Sequence, residues 1–80
     1  MTLADLNEGD STQIIRVGGS GPIKQRMMDM GITAGSKLRV ERYAPLMDPI
    51  QIRIKGYSLA LRVAEGKMIE VMKPELTIND

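Results

Sequence analysis

The chain has 80 residues, 42% of them hydrophobic, so it holds one small domain with a single core. It has no His and no Cys, which removes the usual general base, the thiolate nucleophile and the soft metal ligands. Eleven basic residues against ten acidic ones leave a net charge of +1, far from the basic excess of a dedicated nucleic-acid binder.

The first ten residues, MTLADLNEGD, lack the basic and apolar regions of a signal peptide, and no apolar run reaches the length of a membrane span. The expectation is a soluble, cytoplasmic protein that does not insert into the bilayer. Leu3, Ala4 and Leu6 suggest a short turn or helical cap, ended by the turn residues Asn7-Glu8-Gly9-Asp10. Thr12–Val17 reads as a strand, and Gly18-Gly19-Ser20-Gly21 as a loop.

The one convincing helix runs from Pro22 to Met30, with Pro22 at its first position and Gly31 as the left-handed residue that ends it. Ile23, Met27 and Met30 fall on one helical stripe expected to be buried, with Met28 at its margin. From Leu38 the apolar period changes to two. Leu38 and Val40, then Ile50, Ile52 and Ile54, then Leu59, Leu61 and Val63 alternate with polar residues, and Ile69 and Val71 mark a last strand. A turn at Gly56-Tyr57 would set Ile54 opposite Leu59; a turn at Lys55-Gly56 keeps the same faces, so the register stays open. Met68 and Met72 are expected to face outward with Glu70, and Arg39, Arg53, Lys55 and Arg62 share the outward parity of their strands. The expected fold is mainly β: a small five-stranded barrel over residues 1–73 with one inserted helix, followed by a tail at 74–80.

No constellation carries catalysis. GGSGP before the helix lacks the Lys-Ser/Thr of a phosphate loop. Asp29, Glu41 and Asp48 lack the spacing of a metal site, so no metal, cofactor or catalytic residue is assigned. The basic face could meet phosphates or lipid head groups, yet aromatics for base stacking are nearly absent; a solvated mixed-charge face is the plainer reading.

The run RMMDMGITAGSKLRVERYAPLMDPIQIRIKGYSLALR, residues 26–62, resembles the FeoA family of ferrous iron transport accessory proteins. The matching pieces are Met30-Gly31, Gly35, Ala44-Pro45-Leu46 with Asp48-Pro49, Gly56, Leu59-Ala60-Leu61-Arg62 and Ile69-x-Val71, within about residues 3–72. The resemblance implies an SH3-like barrel without enzymatic activity. It implies a role in ferrous iron uptake through contact with the cytoplasmic domain of the transporter FeoB. The alternative is a regulatory or interaction domain like the C-terminal domain of iron-dependent repressors. Weak self-association stays open. The family usually has Gly at the place of Met47, so a positive φ there would strain this side chain. It usually has Ala near Gly66, which leaves a helical turn at 64–67 in doubt.

Pro45 and Pro49 each fix their own φ and restrict the residue before them, so the loop between the second and third strands is stiff. Stiff loops lose little entropy on binding. The expected partner surface joins Pro45, Met47, Asp48 and Pro49 with Met28 of the helix, Asp48 standing at the loop tip as a charge for a cationic partner. The competing view is that the prolines only turn a corner.

Overall fold

The computed structural model describes residues 1–74. A short 3₁₀ turn, Leu3–Asp5, precedes β1 (Ser11–Val17), α1 (Gly21–Asp29), β2 (Lys37–Tyr43), β3 (Ile50–Ile54), β4 (Tyr57–Leu61), α2 (Val63–Gly66) and β5 (Ile69–Val71). The five strands form one antiparallel sheet in the order β4-β3-β2-β1-β5. Every strand sends apolar residues into one core, joined by Leu3, Leu6, Met27 and Ile32. The tail expected over 74–80 lies, from residue 75 on, outside the described residues.

The period-two reading of β3 and β4 holds, and the hairpin closes at Lys55-Gly56. Both residues have positive φ, 51° and 84°, the signature of a type I′ turn whose twist matches the strands. Ile54 therefore faces Tyr57 and Ile52 faces Leu59, a shift of two residues from the Gly56-Tyr57 register that leaves the faces unchanged. Of the alternating residues, Val40, Ile52, Ile54, Leu61 and Ile69 are buried; Leu59 is only partly so, because β4 is an edge strand of the sheet.

Two bulges change the phase of strands that look regular in sequence. In β1 the pairing jumps from Ile14↔Val71 to Arg16↔Glu70, so Arg16, which strict alternation after Thr12 and Ile14 would bury, stays outward beside Ile15 and Val17 returns to the core. In β2 it jumps from Val40↔Ile52 to Arg42↔Gln51. Without that step strict alternation would bury Arg42. With it Arg42 turns to solvent and Tyr43 packs against the core.

The helix corrects one expectation. Met27 is fully buried and Met30 partly, but Ile23 is 45% exposed. Only the C-terminal half of α1 meets the core, where a Schellman arrangement pins it. Gly31, at φ 91°, donates to the Met28 carbonyl, and Ile32 donates to the Met27 carbonyl. Ile23 sits in the first turn, beyond that contact.

The doubted helical turn is also present. α2 forms because the Arg62 carbonyl accepts from Glu65 and Gly66, while the Glu65 carboxylate accepts from the Arg62 N–H at 2.9 Å. Gly66 fits it by packing: a Cβ there would lie 3.3 Å from Ile50 Cδ1 and 3.5 Å from the Ala4 nitrogen. Met68, expected outside, is half-buried, since it belongs to the turn after α2 and its carbonyl accepts from Gly18 at 2.6 Å; Met72 is exposed as expected.

Leu61→Ala should leave a cavity costing about 2–5 kcal/mol, a large part of the roughly 5–15 kcal/mol typical of whole domains. Denaturant unfolding followed by circular dichroism measures it, and an unchanged midpoint would remove Leu61 from the core.

Candidate functional site

The loop between β2 and β3, residues 44–49, is built around a closed turn. The Ala44 N–H donates to the Pro49 carbonyl at 2.9 Å, and the Met47 N–H donates to the Ala44 carbonyl at 2.7 Å. Met47 has φ 67°, the left-handed conformation expected to strain a side chain there, and the Asp48–Pro49 peptide is cis. The tip is formed by Leu46, 90% exposed, and Met47, 60% exposed. They are the most exposed large apolar residues among those described.

The base of the loop is tied to the rest of the chain. The Tyr43 N–H donates to the Glu8 carboxylate at 3.0 Å, and the Tyr43 hydroxyl donates to the Leu6 carbonyl. Burial raises the Tyr43 phenol above its ordinary value, and the charges of Asp10, Asp5 and Glu8 push the same way.

Asp48 does not stand at the tip. Its carboxylate turns back and accepts from the Val63 N–H at 3.1 Å, at the first residue of α2, with the Arg62 guanidinium 3.6 Å away. A carboxylate serves well there, because the first amides of a helix have no intrahelical acceptor. Asp48 thus clamps the loop to α2, leaving Leu46 and Met47 to project. Leu46 is the residue that sequence reasoning passed over; its place between Pro45 and Met47, without an alternating partner, was the available signal.

Met28 is 43% exposed, but it lines a cleft with Ile15, Val17, Lys24, Thr33 and Ala34. Pro45 and Pro49 line another, with Arg42, Gln51 and Ala60, and Met47 a third, with Leu6, Tyr43 and Val63. None of these three clefts joins Met28 to the loop, so among the described residues the expected surface falls into separate patches.

The acids considered for a metal are engaged separately. Asp29 accepts from Gln25 at 2.9 Å, and Asp48 from Val63. Glu41 accepts from Gln51 at 2.9 Å and Ser58 at 2.7 Å. Those two hydrogen bonds, with Arg53 and Arg39 nearby, hold the Glu41 carboxyl below its ordinary value. Among the described residues no three acidic side chains gather into a ligand set.

The FeoA domain family model matches residues 1–73. The chain belongs to the FeoA family. It is 39% identical over 71 residues to an Fe(2+) transport protein A/Fe(2+) transporter FeoB fusion protein of Porphyromonas gingivalis, a match that covers 89% of this chain and 8% of that protein's length. Among solved structures, FeoA from Chlorobium tepidum superposes with a TM-score of 0.83 at 38% identity, covering 89% of this chain and 68% of that one. The zinc-complexed FeoA of Stenotrophomonas maltophilia, described as an SH3 domain protein, gives 0.79 at 25% identity, covering 90% and 89%. A manganese-dependent transcriptional repressor shares the fold, with a TM-score of 0.82 at 23% identity over 90% of this chain and 35% of that one. The expected SH3-like FeoA fold is therefore the observed one.

Asp48→Ala should lower stability by about 0.5–2 kcal/mol, the range for losing a helix-capping acceptor. Asp48→Asn, which keeps an oxygen for the Val63 N–H, should lose less. Thermal melts of the three proteins test this, and equal loss in both variants would point to the Arg62 ion pair instead.

Proposed function

We propose that the chain is an accessory protein of ferrous iron uptake that acts from the cytoplasm by docking on the cytoplasmic domain of a FeoB-type transporter, without a reaction of its own. The observation that carries this reading is the Porphyromonas gingivalis fusion, which joins a homologous domain to a transporter in one polypeptide. Two activities linked covalently in one organism are suited to work in contact when separate. No helix among the described residues is long and apolar enough to cross a membrane, so contact would be made with the parts of the transporter outside the bilayer.

The loop offers the docking element. Pro45, Pro49 and the Asp48 clamp keep it in one shape, so little conformational entropy is lost when Leu46 and Met47 enter a partner pocket. Met47 adds a polarisable, adaptable side chain. In this arrangement Asp48 and Pro49 serve the interface by holding the tip, and Met28 supplies a second, separate contact. The repressor likeness favours a regulatory role on another protein less strongly, since at 23% identity it concerns the fold alone.

The test is a calorimetric titration against the transporter's cytoplasmic domain. Leu46→Asp should weaken binding by at least about tenfold, or roughly 1.4 kcal/mol, with an unchanged melting temperature because the side chain touches no core residue. Unchanged affinity with an intact fold would take the loop out of the interface.

A further inference from the structure

The outward side of the β2–β3 ribbon carries four cations at its hairpin end. Lys37 and Arg39 lie on β2, Arg53 lies on β3, and Lys55 lies in the turn. All four are exposed, and they line one shallow cleft beside Ser11. Arg39 and Arg53 are direct cross-strand partners. Like charges in that position repel and destabilise a sheet. Among the described residues the ion pairs are Arg16–Glu70, Arg26–Glu65 and Arg62–Asp48, so none of the four cations takes part in one. The acid on the same face, Glu41, is already held by Gln51 and Ser58. Its charge offsets part of the field of Arg39 and Arg53, which lie near it, so four cations against one acid leave a local excess of positive charge in a chain of net charge +1.

We infer that this face is a peripheral contact for anionic lipid head groups, which orients the domain on the cytoplasmic surface of the membrane. The inference rests on the transporter reading, which puts the domain beside a bilayer. Charge complementarity carries it, since anionic leaflets attract clustered Lys and Arg. The chemistry of the patch favours lipid over protein. Protein interfaces concentrate their energy in buried aromatic and apolar anchors, and none of the exposed large apolar residues among those described lines this cleft; the nearest in sequence, Tyr57, is committed to the helix end by the bond from its hydroxyl to the Met30 carbonyl. A flat array of cations without an anchor matches a flat array of phosphates and carboxylates. It also explains why a repulsive Arg39–Arg53 pair stands where either residue could have been neutral, since functional surfaces keep features that cost stability.

The experiment is co-sedimentation of the purified chain with vesicles of phosphatidylcholine alone or of equimolar phosphatidylcholine and phosphatidylserine. The chain should pellet with the anionic vesicles only, and raised salt should release it. Arg39→Glu should weaken vesicle binding by at least about tenfold. The same substitution makes the Arg39–Arg53 pair attractive but loses the attraction of Arg39 to Glu41, so folding is checked by circular dichroism, which should match the parent, and Arg39→Gln, which removes the charge without adding an acid beside Glu41, should weaken vesicle binding in the same direction. Absence of phosphatidylserine-dependent binding, or binding unchanged in Arg39→Glu, would overturn the inference. Tighter binding to a single-stranded oligonucleotide than to vesicles would overturn it in favour of nucleic acid. Loss of transporter binding in Arg39→Glu with vesicle binding intact would overturn it in favour of a protein contact. Leu46→Asp should leave vesicle binding unchanged, so a failed transporter titration beside intact vesicle binding removes only the transporter reading.

Discussion

The hydrogen bond from the Val63 N–H to the Asp48 carboxylate joins the two irregular parts of the molecule, the loop at 44–49 and α2. Its consequences run in both directions. On one side the loop is closed by the Ala44–Pro49 hydrogen bond, so fixing Asp48 fixes the direction in which Leu46 and Met47 project. On the other side α2 sets Gly66 against Ile50, the first residue of β3 and fully buried. The loop, the start of β3 and α2 therefore form one packed unit. A shift of the loop would disturb the core, and a defect in the core would displace the loop. The tip is exposed without being free, which is the condition for binding at low entropic cost.

The regular parts of this architecture were legible because a period of two leaves few choices. Ile50, Ile52 and Ile54 alternate without interruption, and β3 is the strand on which the reading was most complete. The departures share a physical cause: a contact distant in sequence overrode a local pattern. Ile15 and Glu41 are bulged residues, and nothing in STQIIRV or KLRVERY marks the extra residue that returns Val17 and Tyr43 to the core. Ile23 fits the helical stripe, but whether the first turn reaches the core depends on where α1 sits on the barrel. Gly66 looked like a loosening residue because its local effect is entropic; its neighbours Ile50 and Ala4, sixteen and sixty-two positions away, make its small size an advantage. Asp48 was read as a free charge for the same reason, since its acceptor role depends on an amide fifteen residues later.

The two surfaces differ in what they can contribute. The loop tip is small, apolar and rigid, suited to a short-range and geometrically demanding contact with one pocket. The cationic end of the β2–β3 ribbon is flat and charged, suited to a longer-range attraction that sets orientation and weakens with salt. Leu46 and Arg39 stand toward opposite ends of the same ribbon, one in its connecting loop and the other near the β3–β4 hairpin. A domain held at a bilayer by one end would present the other to a neighbouring protein. In this arrangement the chain contributes geometry, holding one surface against the bilayer and the other against its partner.

The most direct test of this account is a double-mutant cycle on transporter affinity, with Asp48→Ala introduced into the parent chain and into Leu46→Asp. If Asp48 acts by holding the tip, the substitution weakens binding in the parent chain and adds little once Leu46 has been changed, so the two effects couple by at least about 0.5 kcal/mol. Independent, additive losses would contradict the account, because they would show Asp48 contacting the partner directly instead of positioning the loop through Val63.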